Sequence, residues 1–195
     1  MRIISGKLKG RKLADSSKFK DLRPTTDHNR EALFNILANA KFMQEHQLKF
    51  TDSVFLDLCC GTGGIGIEAL SRGVKEVLFI DNNFEHINLL KKNLQLLEIN
   101  EEAIIINKSA EFIKNNYNKI FDIIFLDPPY NYDYLSIINN LLKQNFFADK
   151  TLFIVESEQK YFQKIQNEIL QNFQLLNQRD FGKSQFNFLL KKTPY

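Results

Sequence analysis

An open, mostly parallel α/β sheet with helices on both faces is the fold this sequence predicts, and three observations predict it. From residue 53 onward, short apolar runs alternate with longer amphipathic stretches, a rhythm that lays helices over both faces of a parallel sheet. The first run opens into a glycine-rich turn, Gly61-Thr62-Gly63-Gly64-Ile65-Gly66, at the start of a helix. A later run, Phe121 to Leu126, stops abruptly at Asp127-Pro128-Pro129-Tyr130. In sheets of this kind ligands bind beyond the carboxyl ends of the strands, where both motifs fall.

The elements follow in order. Residues 2–14 read as a short basic hairpin, with Gly6 and Gly10 in turn positions and Arg11-Lys12-Leu13 returning. Leu22-Arg23-Pro24-Thr25-Thr26-Asp27 is an extended stop, and Thr26 or Asp27 can cap the next helix. That helix carries Leu33, Ile36, Leu37 and Ala40 on one stripe, with His28 and Arg30 expected to face outward. Val54–Leu58 is a strand, and the glycine turn leads into a helix through Arg72. Val77–Ile80 is a second strand ending at Asp81, and Phe84, Ile87, Leu90, Leu94 and Leu97 stripe the long helix after it. Ala103–Ile106 is a third strand, followed by a short helix begun by Asn107 or Ser109. The fourth strand ends at Asp127, Leu135, Ile138, Leu141 and Leu142 stripe a helix, and Leu152–Val155 is a fifth strand. After a helix over Tyr161–Leu170, Phe173–Lys191 reads as two strands joined near Gly182-Lys183.

Composition narrows the possibilities. A chain of 195 residues can bury a sizeable core as one domain, with a basic extension over 1–26, a helix over 27–41 and an α/β core over 53–195. No apolar run is long enough to span a bilayer, and Met1-Arg2-Ile3-Ile4-Ser5-Gly6 turns polar too early for a signal peptide. Cys59 and Cys60 are adjacent and no third cysteine exists, so no disulfide framework forms, and a reducing cytoplasm is the expected setting. Two cysteines and three scattered histidines give no metal-site spacing. The net charge of +3 hides an asymmetry: residues 1–30 hold nine Lys or Arg against three Asp, a net of +6, which leaves −3 for the other 165. Basic charge gathered at one end is the footprint of a phosphate-backbone binder, and equally of a plain solvated segment.

The two motifs carry the chemistry. Gly61, Gly63 and Gly66 satisfy G-x-G-x-x-G, and Asp81, 20 residues beyond Gly61, is placed to hold ribose hydroxyls. The loop alone says that a nucleoside-bearing cofactor approaches backbone at a helix start, and both NAD and S-adenosylmethionine qualify. Asp57, just before the loop, favours S-adenosylmethionine, because a carboxylate attracts a sulfonium and an ammonium and repels a pyrophosphate. At the other motif each proline fixes its own φ and holds the preceding residue extended. The result is a stiff ledge with two acceptors, the Asp127 carboxylate and the Pro128 carbonyl, beside the flat Tyr130 ring. That suits a planar group bearing an amino group and offers no hydride chemistry.

With both motifs in hand, the chain resembles a class I methyltransferase and, nearly end to end, the bacterial small-subunit rRNA guanine-N2 methyltransferase family of the RsmD type. The matching residues are Arg2-Ile3-Ile4-Ser5-Gly6, Gly10-Arg11-Lys12-Leu13, Leu22-Arg23-Pro24-Thr25-Thr26-Asp27 and Arg30-Glu31-Ala32-Leu33-Phe34. They continue with Asp57-Leu58, Gly61-Thr62-Gly63, Gly66, Glu68-Ala69-Leu70-Ser71-Arg72-Gly73 and Phe125-Leu126-Asp127-Pro128-Pro129-Tyr130. The resemblance implies a Rossmann-like, seven-stranded sheet with its last strand antiparallel, S-adenosylmethionine as cofactor, and a guanine of 16S rRNA as substrate. It also implies that Asp57, Gly61, Gly63, Asp81 and Ser109 line the cofactor and that Asp127, Pro128, Pro129 and Tyr130 hold the base. Arg2, Arg11, Arg23 and Arg30 would hold RNA phosphates, with Arg23 a second candidate for the cofactor carboxylate. The sequence departs from the pattern at Cys59-Cys60, where relatives carry an aromatic and a small residue. It departs again at Ser109, where many place an Asp. The expected enzyme is a monomer that works on 16S rRNA or the small ribosomal subunit, without a membrane or a metal. The ledge reads any planar amine, so an adenine-N6 methyltransferase is the nearest alternative, and a non-catalytic RNA-binding assembly factor the next.

Overall fold

Seven strands form one sheet in the computed structural model, which describes residues 1–17, 19, 25–114, 119–129 and 132–192. They are β1 (Val54–Leu58), β2 (Glu76–Asp81), β3 (Ala103–Asn107), β4 (Phe121–Leu126), β5 (Phe147–Glu158), β6 (Phe173–Phe181) and β7 (Ser184–Lys191). Their order is β3-β2-β1-β4-β5-β7-β6. The pairs among β1 to β5 are parallel, whereas β7 runs antiparallel to both β5 and β6. The last strand is therefore the antiparallel one, as the family pattern implies. Among the described residues, no helix is long and apolar enough to cross a membrane.

Strand side chains alternate between two faces, and each face has its own core. Phe55, Val77, Phe79, Ile123, Phe125, Ile154 and Phe188 pack on one side with α3 (Gly64–Ser71) and α4 (Phe84–Leu97). Leu56, Leu58, Ile124, Leu126, Phe153 and Val155 pack on the other with α5 (Tyr134–Lys143) and α6 (Gln159–Asn172). Burying a ring such as Phe125 or Phe153 stabilises the fold by about 2–3 kcal/mol. Each central strand is apolar on both faces, as covered parallel strands must be.

Two features differ from the expected elements. The first helix, α1 (Asp27–Asn39), capped by the Thr26 side chain, stops two residues early at an extended Ala40. A separate short helix, α2 (Lys41–Glu45), follows and lays Phe42 beside Phe188 with ring centroids 5.4 Å apart. The fifth strand is much longer than its apolar heart, because the Thr151 hydroxyl accepts from the Ala148 N–H and donates to the Phe121 carbonyl, extending the ladder through polar residues.

The N-terminal strap is the expected short hairpin: its two arms meet at the antiparallel Arg2–Lys12 bridge, and backbone hydrogen bonds join Ile3 to Arg11 and Gly10, and Leu13 to Met1. What holds it is α3. Both Glu68 carboxylate oxygens accept from the strap, at 2.8 Å from the Ile4 N–H and 3.0 Å from the Ser5 N–H, and Arg72 pairs with the same side chain at 2.7 Å. Glu68 is 1% exposed, so leaving its charge unpaired would cost about 3–5 kcal/mol. Gly6 sits at φ +83° with its missing Cβ pointing at the Ser71 carbonyl, which excludes any side chain there. Asn93 of α4 ties down the far arm by accepting from the Ala14 N–H at 2.8 Å.

Candidate active site

The carboxyl ends of the strands open onto a cleft of about 1110 Å³. Strand β1 ends in Leu58, and the chain then reverses through Cys59 and Gly61, at φ +59° and +53°. A left-handed cysteine is an uncommon, strained conformation of the kind that clusters at functional sites. The reversal is pinned by Asp81, which ends β2: its carboxylate accepts from the Gly61 N–H at 2.8 Å and from the Asn83 N–H at 2.8 Å. Asp57, 1% exposed, accepts from the Gly66 N–H at 2.9 Å and so ties the strand to the first turn of α3. Burial, opposed by that N–H and reinforced by Asp81, pushes the Asp57 carboxyl up to about 7. Burial, with Asp81 and Asp127 adding, also pushes the Cys59 thiol well up, so it stays a neutral thiol and a poor nucleophile.

The glycines divide the labour. Gly61 lines the cleft. Gly63, at φ +83°, does not; a Cβ there would stand 2.4 Å from the Leu90 side chain, so its absence lets α3 and α4 close. Gly66 does the same against β2, where a Cβ would meet the Phe79 ring at 2.3 Å. Gly63 thus serves the packing of α3 against α4 and the turn.

Across the cleft, Asp127 and Pro128 continue β4 as the ledge. The Asp127 N–H still donates to the Leu58 carbonyl at 3.4 Å, Pro128 is buried and Pro129 exposed. Beneath the ledge lies a group that the sequence reading passes over. The buried Tyr134 hydroxyl sits 3.2 Å from the Pro128 carbonyl and 3.3 Å from that of Glu156, joining the ends of β4 and β5. Burial, with Asp127 adding, pushes its phenol far above the usual range, so it remains a donor. A tyrosine at the first turn of α5, one residue before the recognised stripe, was the available signal.

Asp127, Pro128, Pro129, Gly61, Asp81 and Ser109 therefore share one cavity. Its wall also includes Thr25, His28 and Asn29 around the start of α1, Glu156, and the β6–β7 turn Asp180–Ser184. Of these, Thr25 belongs to the Leu22–Asp27 stretch that matches the family, and Glu156 belongs to no motif. Tyr130 and Arg23 lie outside the described residues. Arg2 and Arg11 are exposed; Arg2 pairs with Asp27 at 3.5 Å, and Arg11 donates to the Leu96 carbonyl at the end of α4 at 2.7 Å. Arg30 is a correction. It is 1% exposed, turned inward on the same helical stripe as Leu33, Phe34 and Leu37, and so is not presented to a polymer's phosphates.

Residues 1–190 match the family described as conserved hypothetical protein 95. The ribosomal RNA small subunit methyltransferase D of Haemophilus influenzae is 40% identical over 162 residues, 81% of this chain and 79% of that one. The Escherichia coli K12 protein of the same name is 36% identical over 161 residues, 81% and 75% of the two chains. The chain belongs to the RsmD family. Among solved structures, yhhF of Escherichia coli matches with a TM-score of 0.76 at 29% identity over 98% of both chains. HI0767 of Haemophilus influenzae matches at 0.69 with 30% identity over 97% of each.

This RsmD-family cleft fits a cationic, nucleoside-bearing methyl donor. Gly61, Asp81 and Ser109 line the cleft together, at the carboxyl ends of the strands where sheets of this kind bind ligands. A side pocket of about 60 Å³ adjoins the cleft between Asp57, Cys60, Gly61, Thr62 and Asp127. Its lining includes the Asp57 carboxyl and the Arg30 guanidinium, a donor set that suits an amino-acid zwitterion and not a pyrophosphate.

Proposed function

We propose that this chain transfers a methyl group from S-adenosylmethionine to the exocyclic N2 of a guanine in small-subunit (16S) rRNA. The observation that carries this reading is that the Asp127–Pro128 ledge and the Gly61–Asp81 loop open onto one cleft. The names of the relatives support rRNA as the polymer, and the RsmD-type motifs support guanine as the base. Asp57, Gly61, Asp81 and Ser109 would hold the cofactor, and the working form would be a monomer in the cytoplasm.

When bound, S-adenosylmethionine supplies a methyl group already activated by its positive sulfur. The difficulty is the nucleophile, since the guanine amino nitrogen lends its lone pair to the ring. The Asp127 carboxylate and the Pro128 carbonyl accept the two amino hydrogens and turn that lone pair out toward the cofactor side. This is catalysis by positioning and electrostatics. Tyr134 fixes the direction of the Pro128 carbonyl from below. Asp127 is placed to take the proton as the nitrogen gains charge. Tyr130 would stack the base, contributing about 1–3 kcal/mol, once the base has left its helical stack. The exposed Arg2 and Arg11 supply charge for phosphates on the strap side.

The test is labelled-methyl transfer to 16S rRNA and small subunits from cells lacking the protein, followed by nucleoside analysis. The wild type should yield N2-methylguanosine. Asp127→Ala should lose at least about 100-fold in transfer while S-adenosylhomocysteine affinity holds within about twofold. A methylated adenosine product would overturn the base assignment, and equal loss of transfer and cofactor affinity would overturn the role of the ledge.

A further inference from the structure

Arg30 is a buried cation with donors to spare. Of its five N–H groups, the two on Nη2 are used, donating to the Arg2 carbonyl at 2.8 Å and the Asp27 carboxylate at 2.8 Å. Nε and Nη1 have no partner among the described residues, although the side chain is only 1% exposed. Unpartnered donors on a buried charge are expensive, and such groups persist where something else satisfies them.

Arg30 lines the 60 Å³ side pocket, and its buried Nη1 lies 3.8 Å from where a Gly64 Cβ would stand. The same pocket is walled by Asp57 and by the Cys60–Gly61–Thr62 backbone, and Asp127 closes the end that joins the main cleft. Burial pulls the Arg30 guanidinium below its usual range, against the pull of Asp27 and Glu68, but the group stays a cation under any ordinary condition. One pocket therefore holds an unsatisfied guanidinium and, on another wall, the Asp57 carboxylate.

We infer that Arg30 is a cofactor-specificity residue: its free Nη1 edge binds the carboxylate of the methionine end of S-adenosylmethionine, with the ammonium beside Asp57. This rests on the donor proposed above and adds what recognises its amino-acid end. It assigns the carboxylate to Arg30, a residue whose charge otherwise reads as part of the basic surface.

The test pairs a change in the protein with a change in the ligand. Calorimetry would compare S-adenosylmethionine with decarboxylated S-adenosylmethionine, which lacks only the carboxylate, and with 5′-methylthioadenosine, which lacks the whole amino-acid end. For the wild type, loss of the carboxylate should weaken binding about 10- to 100-fold, the worth of a charged hydrogen bond. In Arg30→Met the two sulfonium ligands should bind alike, with 5′-methylthioadenosine affinity unchanged. Arg30→Lys, which keeps the charge and loses the fork, should restore part of the difference, and it serves if Arg30→Met does not fold. Full wild-type discrimination in both variants would overturn the assignment. So would a uniform loss for all three ligands, which marks a purely structural Arg30. A wild type that binds none of the three would overturn the donor itself, and the proposed reaction with it.

Discussion

Asp57 should make the cofactor-free protein lose stability as the pH rises, and replacing it with Asn should remove that loss. A carboxyl carried from 3.8 to about 7, foremost by burial, disfavours its ionised folded form by about 4 kcal/mol. The direction is opposite to that of a salt-bridged carboxylate. Between about pH 4 and 7 the unfolded chain has already given up this proton while the folded chain still holds it, so raising the pH favours unfolding. Below that window no penalty applies, and above it the whole penalty does. Asparagine keeps an oxygen for the Gly66 N–H and has nothing to titrate. Urea unfolding of both proteins without cofactor, from pH 4.5 to 8, gives the difference in stability at each pH. That difference should shift in favour of Asp57→Asn by up to about 4 kcal/mol across the window. A difference that stays constant with pH would refute the reasoning, because it would mean that Asp57 ionises in the folded protein as it does in water.

Two further outcomes follow from the site and its scaffold. Tyr134→Phe removes the hydroxyl between the Pro128 and Glu156 carbonyls; it should cost about 1 kcal/mol in thermal unfolding and lower the transfer rate while S-adenosylhomocysteine affinity stays put. Gly66→Ala drives a methyl to within 2.3 Å of the Phe79 ring and should destabilise by about 1–3 kcal/mol, read in denaturant, with partial recovery in the double variant Phe79→Leu.

Much of this architecture can be read from the sequence because periodicity and local chemistry agree. Val54–Leu58 and Phe121–Leu126 are apolar on both faces and bounded by turn residues, and the observed strands have the same limits. The stripe from Phe84 to Leu97 is a helix of the same extent. Reading fails where a residue's type and its position disagree. Arg30 occupies the stripe of Leu33, Phe34 and Leu37, but its charge suggests the surface; the i, i+3, i+4, i+7 spacing was the better guide. Ala40 breaks α1 without a proline or glycine, so no local signal marks it. Within the cleft, the two loops that meet there were visible because glycine and proline leave backbone signatures. That His28, Glu156 and the β6–β7 turn complete the wall was not, because tertiary folding brings those residues together from distant parts of the chain.

The position of β7 has a consequence for how the protein is made. Residues 184–191 follow the other six described strands in the chain, yet they lie inside the sheet, joined to β5 on one side and β6 on the other. Until they emerge from the ribosome, β5 carries an open row of backbone donors and acceptors and β6 has no neighbour to pair with. The hairpin bend at Gly182 cannot yet stand over Asp127 and Pro128. The loop at Gly61 and Asp81 is thus complete in sequence well before the wall opposite it, and closing the cleft waits for β7.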